Sequence, residues 1–120
     1  MKSKALALAC GLSLMPIAAL ADIADVFRNY DRGTAADRTF IKTLIVGIAD
    51  GFDAANDQLK EDGKSALYCA PAGIKFTGDQ LIDILRRWIE ANRAKAPRID
   101  NAPPAMALLH ALEEAFPCPK

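Results

Sequence analysis

Histidine is the scarcest functional residue in this chain: His110 stands alone among 120 residues. A zinc site assembled from imidazoles, or a hydrolytic triad with a histidine base, needs more neighbours than it has. His110 and Glu114, at i and i+4, could offer two metal ligands on one helical face, but no third is visible. Serine is nearly as thin: after residue 21 only Ser65 remains, with no recognisable base motif around it. The run "DAANDQLKEDG" lacks the spacing of a calcium loop. Neither charge sign dominates, with 15 basic and 15 acidic side chains, which argues against nucleic acid or an anionic membrane as the main partner. Repeats and low-complexity tracts are also missing. These absences point away from an enzyme, and away from any metal or cofactor.

The first stretch has its own composition. "MKSKALALACGLSLMPIAALA" places Lys2 and Lys4 before an apolar run and ends on Ala19-Leu20-Ala21, the small-x-small pattern of a signal-peptidase site. It reads as a secretory signal peptide spanning 1–21, leaving a single domain at 22–120. A membrane anchor is the alternative, but the run is at the short limit for a span and no charged stop-transfer cluster follows. After removal the chain carries 13 basic and 15 acidic side chains. The expected location is outside the cytoplasm, with no membrane attachment once the leader is gone.

From residue 22 onward the pattern is helical throughout. Ile23, Val26, Phe27 and Tyr30 are spaced i, i+3, i+4, i+7, a short amphipathic helix ending before Gly33. Thr34 offers an N-cap, with Asp37 in the first turn. Ile41, Ile45, Ile48, Phe52, Ala55 and Leu59 then predict a long helix ending near Gly63. Beside them, Phe40, Leu44, Gly47 and Gly51 form a second stripe whose glycines suggest close approach of another helix. "TGDQ" is a capping box opening a third helix, with Leu81, Ile84, Leu85 and Trp88 as its buried face, widened by Ile82 and Ile89. "KAPRIDNAPP" reads as a linker. A proline near 104 suits the first turn of a last helix, whose apolar face is Ala105, Leu108, Leu109, Leu112 and Phe116.

Three cysteines become two, Cys69 and Cys118, if Cys10 departs with the leader. An even pair in an exported chain of this size most simply forms one disulfide. Geometry supports it independently. A third helix of about 25 Å and a fourth returning about 20 Å bring position 118 back to the loop that holds Cys69. Two free thiols or a metal pair are the alternatives, and no C-x-x-C supports the latter. The expected fold is therefore all-α: a small four-helix domain whose one disulfide joins the loop before helix 3 to the C-terminus.

"LYCAPAGIKFTGDQLIDILRRWIEAN", a proline-containing linker, and "ALLHALEEAFPCPK" together resemble the type VI secretion amidase immunity proteins, the Tai and Rap-type family. "IVGIADGF" at 45–52 is similar to that family's "YIAGVADA" segment. Many members carry two further cysteines; Tyr30 lies near the first of those positions and Ile41 occupies the second. The resemblance implies an all-helical periplasmic immunity protein, commonly dimeric, that binds a cognate effector toxin, often a peptidoglycan-cleaving amidase, and blocks its active site.

The disulfide should hold two loops in fixed shapes, the 70–77 turn with Lys75 and the linker around 95–101. Candidate partner-binding residues are accordingly Lys75, Arg93, Lys95, Arg98, Asp100 and Asn101. The basic end of helix 3 and its linker (Arg86, Arg87, Arg93, Lys95, Arg98) and an acidic run on helix 2 (Asp50, Asp53, Asp57, Glu61) read first as ordinary solvated faces; the functional alternative is that they steer a protein partner or pair two copies. Two other functions fit the same pattern: a small periplasmic acid-stress chaperone, which would loosen at low pH, and an envelope scaffold, whose loss would harm unchallenged cells.

Overall fold

Local signals set the helix starts. In the computed structural model, which describes residues 22–120, α1 (Ile23–Arg32) is capped by Asp22, whose carboxylate accepts from the Asp25 N–H. Thr34 and Asp37 close a reciprocal capping box on α2 (Ala35–Glu61), and Thr77 with Gln80 does the same for α3 (Gly78–Asn92). A one-turn 3-10 helix, η1 (Ile99–Asn101), interrupts the linker, and α4 (Pro104–Ala115) opens on proline in its first turn. No strand occurs among the described residues. The expected signal peptide at 1–21 lies outside the described residues.

The domain is all-α, as the periodicity indicates. Its core joins Ile23 and Val26 of α1, Ile41, Ile45 and Ala49 of α2, Leu81, Ile82, Leu85 and Ile89 of α3, and Ala107, Leu108, Ala111 and Leu112 of α4. In three helices the buried face is rotated from the expected one. On α2, Ile48, Phe52 and Leu59 are only half-buried and Ala55 is exposed, while Ala49 and Asn56 go inside. On α3, Ile82 and Ile89 sit deeper than Ile84 and Trp88. On α4, Ala105 is exposed and Leu109 and Phe116 are half-buried, their place taken by Ala107 and Ala111. Small residues can point inward where helices run close, and a hydrophobicity stripe underweights them.

The glycine expectation is corrected outright. Side chains added at Gly47 or Gly51 would meet nothing within 4 Å, so no helix among the described residues packs there, and Phe40 on the same face is 60% exposed. The close approach falls instead at Gly78, buried at the start of α3, where a Cβ would stand 2.6 Å from the Cβ of Lys42. A helix can be crossed tightly near its end, and the sequence stripe records only the middle.

Polar ties hold α1 across the start and middle of α3. Tyr30 donates its hydroxyl hydrogen to Asp79, and Lys42 of α2 lies 3.7 Å from the same carboxylate. Arg86 grips Asp31 through both guanidinium nitrogens, at 2.7 and 3.2 Å, while its charge rests 4.6 Å from the centre of the Phe27 ring. Arg86 is therefore occupied within the fold and is not part of a free basic end.

Cys69 and Cys118 are bonded, with Cα atoms 4.8 Å apart and 49 positions between them in sequence. The Cys69 N–H donates to the Phe116 carbonyl at 2.8 Å, and the Phe76 and Phe116 rings lie 5.2 Å apart, so a backbone hydrogen bond and an aromatic contact reinforce the staple between loop and tail. Closing a loop of about 50 residues stabilises the fold by about 4 kcal/mol in the chain-entropy model. The double variant Cys69→Ala/Cys118→Ala is expected to lower Tm by roughly 15–30 °C; a change of a few degrees in calorimetry would refute that weight.

Both tyrosines of the chain are buffered against base. Donation to Asp79 raises the pKa of Tyr30, and burial followed by donation to Asp53 raises that of Tyr68. A raised phenol contributes stability that is complete below its unfolded pKa of about 10 and is lost as pH rises through the folded value. Phenolate absorbance near 295 nm should therefore rise at higher pH than for a free phenol, with the Tyr68 contribution appearing last. A midpoint at the ordinary value for either tyrosine would contradict these bonds.

Candidate functional site

Two loops were expected to carry the partner-binding residues, and α3 separates them. Its 15 residues span about 22 Å, with the 70–77 turn at one end and the linker at the other. Lys75 therefore does not share a site with Arg93, Lys95, Arg98, Asp100 and Asn101.

The linker is built by successive turns rather than left slack. The Asn92 carbonyl accepts from the N–H groups of Lys95 and Ala96 at 3.0 Å each; the Ala96 carbonyl accepts from Ile99 at 2.9 Å, and that of Ile99 from Ala102 at 3.0 Å. Ile99 turns inward and is 5% exposed, plugging the linker into the core. The Ile23 N–H donates to the Ala102 carbonyl at 3.1 Å, fastening the far side to the start of α1. Arg93 reaches across the turn to Asp100 at 3.1 Å. Two of the expected contact residues, Arg93 and Asp100, are thus committed to shaping the loop. Lys95, Arg98 and Asn101 are exposed on its outside.

Behind this loop lies an open apolar pocket of about 710 Å³. Trp88, Ala96, Pro97, Ile99 and Ala102 supply its walls, with Asn92 and Arg98 as the polar members of its lining. Trp88 carries a buried indole N–H with no acceptor among the described residues. Its ring stacks on His110 at 5.9 Å, and His110 itself sits 3.1 Å from Glu113 rather than pairing with Glu114. No group of three potential ligands able to hold a metal occurs among the described residues.

The other loop rests on Asn56, buried at 6% exposure. Its side-chain oxygen accepts from the Leu67 N–H at 2.7 Å and its amide donates to the Tyr68 carbonyl at 3.3 Å. Tyr68 in turn donates to Asp53 at 2.6 Å. Gly73, at φ 77°, allows the tight bend that a side chain would oppose. Lys75 stands 3.7 Å from Asp50, and Asp57 is 3.7 Å from Lys60. The acidic run on α2 is therefore largely consumed by neighbours on its own chain. A cleft of about 430 Å³ separates this turn from α2.

Ile99, Trp88 and Asn56 are the positions that sequence reasoning missed as site builders. Ile99 had a signal, being the one large apolar residue between Pro97 and Pro103. Asn56 had none, because an amide inside an otherwise polar run looks like surface. Asn56→Ala would leave a backbone donor and a carbonyl without partners and is expected to cost about 2–3 kcal/mol. Amide exchange should accelerate chiefly at 66–76 while the linker stays protected; uniform acceleration in both loops would contradict their independence.

Among families of known proteins, the model of the Rap1a immunity proteins matches residues 3–118. No curated protein and no solved structure matches the chain.

Proposed function

The chain belongs to the Rap1a immunity protein family, and from that membership we propose that it protects its cell by binding a toxin delivered by type VI secretion, a peptidoglycan amidase, and obstructing its active site. The toxin would act in the cell wall, so the protein would work in the periplasm, exported by the segment 1–21 and functioning as the domain 22–120. It supplies surface and no chemistry of its own.

The observation that carries this reading is the linker. Arg93–Asp100, the Ile99 plug and the Ile23–Ala102 bond hold it in one shape before any partner arrives. A loop already ordered loses less conformational entropy on docking, which favours tight inhibition. Lys95 and Arg98 have no carboxylate within 4 Å among the described residues, and with Asn101 they offer free donors to a polar cleft. The 70–77 turn is the weaker candidate, since Lys75 already faces Asp50.

The test is calorimetry against the product of the adjacent reading frame, together with survival of cells facing that toxin. Replacing Lys95, Arg98 and Asn101 together with alanine is expected to weaken binding by at least about tenfold, one decade being about 1.4 kcal/mol, with an unchanged melting temperature. Unaltered affinity would move the contact away from the linker.

A further inference from the structure

The linker pocket has the makings of a socket, and its chemistry is one-sided. It is an open depression of about 710 Å³, with room for a side chain but not an enclosed ligand cavity. Apolar side chains form most of its wall, Ile99 is fixed by burial, and Trp88 is braced against His110. The charged member of the lining is Arg98, a cation with no carboxylate within 4 Å among the described residues, and Lys95 lies three positions away along the same loop with none either. The nearby acid, Asp100, is taken by Arg93. An occupant must therefore bring an apolar body to the walls and negative charge to the rim.

We infer that this pocket is an anchor socket for one aliphatic or aromatic side chain of the toxin, flanked in the toxin by a carboxylate that meets Arg98. This deepens the proposed function and rests on it: the linker would enter the toxin's cleft while a side chain from the cleft wall enters the linker's own hollow. Binding on both sides of the loop would bury more apolar surface than the exposed donors alone, and buried anchors in pockets dominate interface energies. A second copy of this chain would be a poor occupant, because none of its exposed large apolar side chains has a free carboxylate beside it in sequence: Phe40 lies three positions from Asp37, which the Thr34 cap already engages, Ile74 precedes Lys75, and Met106 has no acidic residue within four positions.

Trp88 is the only tryptophan, so its fluorescence reports on the wall directly. The exported protein would be titrated with N-acetyl-leucine, its neutral amide, and acetate, following Trp88 emission and amide shifts of Ala96, Ile99 and Ala102. For ligands this small, dissociation constants on the order of millimolar are expected. The acid should bind about two- to fivefold more tightly than the amide, and acetate should show no saturation. Arg98→Gln should erase the difference between acid and amide, and Ala96→Phe, which fills the hollow, should abolish both. Non-saturating or scattered shifts would overturn the socket while leaving the linker's role standing. Saturable probe binding combined with full toxin affinity in Ala96→Phe would also overturn it, by removing the toxin as occupant. Loss of toxin binding in the Lys95/Arg98/Asn101 variant but not in Ala96→Phe would separate the two ideas.

Discussion

One covalent bond decides what the rest of this domain can do. A chain of about 100 residues buries only about 60–65% of the surface it exposes when unfolded, and its core is correspondingly marginal. α4 ends at Ala115, and beyond Phe116 the tail Pro117–Lys120 has no helix to hold it. The bond from Cys118 to Cys69 fixes that tail against the α2–α3 connection, which likewise lacks regular structure. Two irregular segments that would each fray alone become mutual supports. α3 and α4 are then tied at both ends, by the staple at one and by the turns of the linker at the other, and the linker inherits the rigidity of a closed hairpin.

That rigidity is the physical content of the immunity reading. The family is one of immunity proteins, and on the proposed reading a loop already ordered is what would let a domain without catalytic groups inhibit by docking. The linker's internal bonds use Arg93, Asp100, Ile99 and several carbonyls, leaving outward-facing donors free. Its shape is thus maintained by one set of residues and presented by another. Damage to the first set should loosen every contact, and damage to the second should remove contacts while leaving the shape.

Much of this was legible in the sequence, and the reasons for the failures are specific. Caps and breakers are local chemistry, so Thr34, Thr77, Pro104 and the staple could be placed from residue type and parity. Helix faces were displaced on α2 and α4 where alanine goes inward, at Ala49, Ala107 and Ala111, because inward-facing small residues reflect a neighbour's proximity and not their own hydrophobicity. The site divided along similar lines. Lys95, Arg98 and Asn101 stayed available, but Arg93, Asp100 and Lys75 were claimed by partners distant enough in sequence that only the folded arrangement shows them. The pocket behind the linker needed Trp88 from one helix and Ile99 from another segment, a juxtaposition that periodicity does not encode.

The open glycines of α2 have a further consequence. Gly47 and Gly51 lie in the middle of α2, with none of the described residues packed over them and no unusual backbone angle. Each gives up about 1 kcal/mol of helix propensity relative to alanine. The domain is therefore held below the stability its own architecture permits, and two methyl groups added at those positions would stiffen its central strut without displacing a single neighbouring atom.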